Sequence, residues 1–173
     1  MSYIINDILS AMNYLPIGIT CGLFTTAIDV LHSLIKNKVV DRRKNILTFC
    51  LITYFVVVLF IALFCREPGS RDMISLIPFS TFGSTAQSHA YVIENIIMFI
   101  PFGILLPLLW ERMRNICFCL WMAFITSLTI ETTQVITKMG YGQTDDVITN
   151  VLGAIVGLGI LWIAVKVKRY RSA

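Results

Sequence analysis

Three polar residues recur at helical spacing inside an otherwise apolar stretch. Ser127, Glu131 and Gln134 stand at i, i+4 and i+7, so on a helix they share one face. A second stripe runs Asp146, Asn150, Gly153, Gly157, at i, i+4, i+7 and i+11, with Asp145 beside its first member. Glu94 and Asn95 open a third apolar run that contains Pro101 and Pro107. A carboxylate such as Glu131 or Asp146 is the candidate catalytic group, as general acid or base. Asn95, Ser127, Glu131, Gln134, Asp145, Asp146 and Asn150 are the candidate binding residues. Two acids with carboxamides nearby can hold Mg²⁺ or Ca²⁺ through oxygen, but that pattern is weak. No Ser/His or Cys/His pair and no metal-ligand spacing accompanies them, so neither a metal nor a cofactor is assigned. The plainer alternative is that hydroxyls and carboxamides bond between helices, contributing about 0.6–2 kcal/mol each. Likewise Asp145 or Asp146 can simply cap a helix N-terminus, where the macrodipole favours negative charge.

The elements that must position these groups follow from composition. The 173 residues are 57% apolar and 14% charged, with mean hydropathy +0.79. Soluble domains carry about 25% charged residues. Too few charges remain to cover a water-facing surface, which excludes a soluble enzyme and a disordered tail. The net charge of +4 comes without a basic run interleaved with aromatics, so no nucleic-acid partner is implied. Five stretches approach the roughly 20 apolar residues that cross a bilayer. They are Leu15–Ile35, Ile46–Phe64, Val92–Trp110, Ile116–Thr137 and Val147–Val165. Their continuous apolarity lacks the alternation of barrel strands. The expected fold is all-α, a polytopic transmembrane bundle of about five spans. No Lys or Arg precedes Lys36, so the charged region of a cleavable signal is missing.

Basic residues set the expected orientation. Lys36, Lys38, Arg42, Arg43 and Lys44 follow the first span, Arg112 and Arg114 the third, and Lys166, Lys168, Arg169 and Arg171 the fifth. These eleven of the 14 fall on one side, which places the N-terminus outside and the C-terminus in the cytoplasm. Spans three, four and five then bring Glu94, Asn95, Glu131, Gln134, Asp146 and Asn150 into one layer near the outer leaflet. At about 1.5 Å per residue, Glu131 lies roughly 9 Å inside its span. An ionised carboxylate there is costly unless paired, hydrated or protonated. Gly153 and Gly157 form a GxxxG pair, offering a helix–helix contact within the chain or between chains of a homo-oligomer. The loop Arg66–Tyr91, with Ile77, Pro78, Phe79 and Phe82, is expected to lie in the interface as a partial lid.

Three motifs in order resemble the VanZ-like family: Asn95–Leu106, Ser127–Gln134 and Thr144–Gly153, with Ser75–Phe79 similar to a short outer segment there. Coverage runs from about Ile46 to Val165. The chain then divides into 1–45, an extra N-terminal transmembrane helix with a basic cytoplasmic loop; 46–165, the VanZ-like membrane domain; and 166–173, a basic cytoplasmic tail. Gln143 departs from the family, which often has an acid there.

The resemblance implies an integral cell-membrane protein that lowers susceptibility to teicoplanin, a lipoglycopeptide antibiotic, and it supplies no reaction. The first functional reading is a non-enzymatic envelope protein. Its partners would be membrane lipid, the lipoglycopeptide or a lipid-linked cell-wall precursor. Two alternatives stand beside it: a membrane-embedded enzyme acting on a lipid-linked substrate, and a small transporter.

Overall fold

A computed structural model describes residues 9, 12–64, 74–79, 86–140 and 142–171. Among the described residues five long α-helices carry the chain: α1 Leu15–Ile35, α2 Arg42–Phe64, α3 Ala86–Leu109, α4 Ile116–Thr137 and α5 Thr144–Arg171. All five are long and apolar enough to cross a membrane, and the chain is a helical transmembrane bundle. α1 and α4 have the bounds expected of their apolar stretches. α2 and α3 begin before theirs and α5 runs past both ends of its own, because a helix continues through charged and polar residues once it leaves lipid. α3 stops one residue short at Leu109.

Local chemistry fixes the ends. Pro16 opens α1, where its missing N–H is no loss. Asn115 caps α4, its side-chain oxygen accepting from the Phe118 N–H at 3.2 Å. Lys138 closes α4 in the left-handed region at φ 56°, its N–H donating to the Gln134 and Val135 carbonyls. α3 runs on through Pro101 and Pro107 without a break. Thr129, Thr132, Thr133 and Thr137 each donate their hydroxyl to the carbonyl four residues back, at 2.7–2.8 Å. A span can thus carry a row of threonines without showing lipid an unmet donor.

α3 packs most extensively on α5, and α1 on α2, with α4 against α5 and α2 against α3. The core gathers Leu51, Val58 and Ala62 of α2, Phe99, Phe102 and Leu106 of α3, Ala123 and Ile130 of α4, and Ala154 of α5. Phe99 and Phe102 stack with ring centroids 5.5 Å apart. The glycines decide how close the backbones come. A Cβ on Gly153 would stand 2.3 Å from the Ile96 carbonyl oxygen, one on Gly157 2.1 Å from that of Ile100, and one on Gly103 2.1 Å from that of Ala154. The α5 pair read as a GxxxG contact is therefore filled by α3 of the same chain. A homo-oligomer joined through Gly153 and Gly157 would have to undo that packing. A second pair at the same spacing, Gly18 and Gly22, seats α1 against Phe49, Thr53 and Val57 of α2.

Two short strands, β1 Ile74–Ser75 and β2 Gly142–Gln143, pair in parallel with Ile74 opposite Gly142 and Ser75 opposite Gln143. They tie the α2–α3 connection to the α4–α5 turn. This end also holds the close of α2 and α4 and the start of α3 and α5. The opposite end carries Lys36, Lys38, Arg42, Arg43, Lys44, Arg112, Arg114, Lys166, Lys168 and Arg169. Cys65, Arg66, Arg71 and Phe82 lie outside the described residues.

Candidate functional site at the polar end of the bundle

The polar face expected on α4 is present and faces inward. Ser127, Glu131 and Gln134 are all buried, as are Asp145, Thr149 and Asn150 of α5. Hydrogen bonds to neighbouring elements hold them. Asn150 Nδ2 donates to Ser127 Oγ at 2.8 Å, joining the two helices. One turn nearer the end, Glu131 Oε2 accepts from the backbone N–H of Gln143 at 3.0 Å, fastening β2 onto α4. Gln134 Nε2 donates to the Ala62 carbonyl at 2.9 Å. That carbonyl lies in the last described turn of α2, so Gln134 ties α4 to the backbone of α2. Asp145 Oδ1 accepts from the Phe79 N–H at 2.5 Å, pinning the α2–α3 connection to the first turn of α5.

Asp145 and Asp146 both fall within the first turn of α5 and not at its cap position. They differ in placement. Asp145 is 2% exposed and faces the connection; Asp146 is half-buried, and its carbonyl accepts from Thr149 Oγ1 at 3.1 Å. Asn95 is half-buried on α3, one turn above Phe99 on the stripe that continues to Phe102. No hydrogen bond among the described residues ties it to the α4 and α5 groups. The structure thus brings Ser127, Asn150, Glu131 and Gln134 into one column and leaves Asn95 beside it.

Several partners had no signal in side-chain type. The Ala62 carbonyl and the Gln143 and Phe79 amides are backbone groups. Because Gln143 contributes its N–H, the acid-to-glutamine departure leaves this bond unaffected. Thr149, 1% exposed, donates to the Asp145 carbonyl at 2.9 Å; its spacing of four from Asp145 was the available clue.

Two acceptors remain open within this column. Gln134 Oε1 and Asn150 Oδ1 are buried with no hydrogen-bond partner among the described residues. Gln134 follows Glu131 on α4 by one turn, and Asn150, on α5, stands beside Ser127, one turn before Glu131. A carbonyl oxygen of this kind takes a hydrogen from water, a hydroxyl, an amide or an ammonium group, and a buried one left unmet is costly. Among the described residues no three His, Cys, Asp or Glu side chains gather at metal-binding distance. The arrangement can accept hydrogen bonds and holds two buried carboxylates, Glu131 and Asp145.

Residues 18–165 match the VanZ/LLP1 family model, from the first turn of α1 nearly to the end of α5. "Protein VanZ" of Enterococcus faecium is 38% identical over 87 residues, which cover 49% of this chain and 50% of that protein. The aligned stretch therefore spans half the length of that relative. No solved structure matches. With the family match extending across most of the chain and through all five helices, this protein belongs to the VanZ/LLP1 family.

Proposed function

We propose that the protein lowers bacterial susceptibility to teicoplanin-type lipoglycopeptides without catalysing a reaction, acting from the outer leaflet of the cell membrane. Family membership and the relative called Protein VanZ support the phenotype. The observation that carries the location is the buried column Ser127–Asn150, Glu131 and Gln134 at the end remote from most of the basic residues. Positive charge retained in the cytoplasm puts that column outside, with the N-terminus outside and the C-terminus inside. An amphiphilic antibiotic or a lipid-linked wall precursor meets the protein at this level, its acyl part in lipid and its polar part at the height of the buried column.

The test is growth of a sensitive host with and without the protein under teicoplanin and under vancomycin. Protection against teicoplanin with little change for vancomycin is the expected result. No protection against teicoplanin removes the proposal, and equal protection against both drugs shifts it to an altered wall target.

A second reading, a membrane-embedded enzyme for a lipid-linked substrate, is favoured by one feature: Glu131 is a buried carboxylate held in place by the Gln143 N–H. Mass spectrometry of envelope lipids and wall precursors separates the two. A product made by the native protein and absent with Glu131→Gln supports catalysis.

A further inference from the structure

The segment 74–79 combines a rigid backbone with apolar side chains that the core does not use. Its backbone is held at several points: the β1–β2 pairing, the Thr144 hydroxyl donating to the Ser75 carbonyl at 3.4 Å, and the Phe79 N–H donating to Asp145. Phe79 sits in the left-handed region at φ 66°, a conformation that a bulky aromatic residue seldom adopts unless its surroundings hold it there. Yet Ile74, Leu76, Ile77 and Phe79 are 60%, 75%, 72% and 64% exposed. Ser75 is the one polar side chain among the six residues, and none is charged. The connections at the other end differ: the first carries Lys36, Lys38 and Asp41, the second Glu111, Arg112 and Arg114.

We infer that this finger lies in the boundary between headgroups and acyl chains of the leaflet at the polar end, with Leu76, Ile77 and Phe79 as its lipid contacts. Its level comes from β2, which lies between the last residue of α4 and the first of α5. β1 pairs with β2, so the finger stands where the apolar part of the spans stops. Ile136, in the last turn of α4, is 76% exposed at the same level and belongs to the lipid-facing surface. The finger continues that surface past the helix ends. An uncharged apolar cluster presented on a fixed backbone suits this boundary, where side chains enter lipid to a shallow depth. The inference does not depend on the antibiotic reading.

The full chain in phospholipid vesicles tests it. Trp110, Trp121 and Trp162 are each at least half exposed, so replacing all three with Phe leaves the core intact. A single reporter is then placed by Leu76→Trp, with Ile136→Trp as lipid reference and Val39→Trp, at a position 95% exposed in a charged connection, as water reference. Quenching of the Leu76→Trp reporter by lipid brominated close to its headgroup should reach at least about half that of the Ile136→Trp reporter, with iodide quenching several-fold below the Val39→Trp reporter. Iodide quenching equal to that at position 39 overturns the inference by placing the finger in water. Shielding from both quenchers also overturns it, since a protein surface would then cover the segment. Ile77→Trp reads the same comparison if the first variant does not accumulate.

Discussion

Asn150 donates to Ser127 across 2.8 Å, with both side chains sealed from solvent at 1% and 0% exposure. It is a deeply buried polar link of the column and a direct side-chain bond between α4 and α5. A double-mutant cycle with Ser127→Ala and Asn150→Ala should return a coupling of about 0.6–1.7 kcal/mol in unfolding from mixed micelles. Strict additivity of the two single substitutions would mean that the bond contributes nothing to stability.

Glycine replacements should divide sharply by position. Gly153→Ala and Gly157→Ala drive a methyl group onto the Ile96 and Ile100 carbonyls, and each should cost about 1–3 kcal/mol as α3 is pushed off α5. Nothing lies within 4 Å of a Cβ on Gly159, so Gly159→Ala should be neutral or stabilise by up to about 1 kcal/mol. Melting temperature in detergent checks all three, and equal effects at the three positions would contradict the close approach.

Glu131 offers a test that separates holding from function. Glu131→Ala leaves the Gln143 N–H without its acceptor and should destabilise by about 1–3 kcal/mol, lowering abundance. Glu131→Gln keeps an oxygen in place, so abundance should stay normal while teicoplanin protection falls several-fold. Full protection from Glu131→Gln would confine this side chain to fastening β2.

Asp145 and Asp146 should behave differently although they are neighbours. Asp145→Ala removes the acceptor of the Phe79 N–H, a bond to a charged group worth about 1.5–3 kcal/mol. Amide exchange at Phe79 should speed up by roughly ten- to a hundredfold, as local opening becomes easier. Asp145→Asn, which retains an oxygen, should fall between, and Asp146→Ala should leave Phe79 unchanged. Mass-spectrometric exchange in micelles measures it, and an equal response from Asp146→Ala would point to a general loosening of the α5 start.

Much of this arrangement was legible in residue order. Apolar runs of the right length gave the five spans, and the i, i+4, i+7 stripe on α4 gave a shared inward face. The Asn150–Ser127 bond lies where the two polar stripes meet. Other features had no such signature. Adjacent Asp145 and Asp146 point about 100° apart on a helix, and sequence does not say which of them turns inward. Two-residue strands carry too little alternation to be seen. The Ala62 carbonyl became a partner only because α2 ends near Gln134 in space. Gly18 and Gly22 had the same spacing as Gly153 and Gly157, but their contact with Thr53 is a matter of which helices become neighbours.

The Gly103, Gly153 and Gly157 contacts have a mechanical consequence. Where each Cβ would stand, a Cα–H bond points at a carbonyl of the facing backbone, so at these three points α3 and α5 mesh main chain to main chain. Two rods geared this way resist sliding and twisting together as a single beam. Any breathing of the bundle around its open carboxamides must then come from α4 or from the α1–α2 hairpin shifting against that beam.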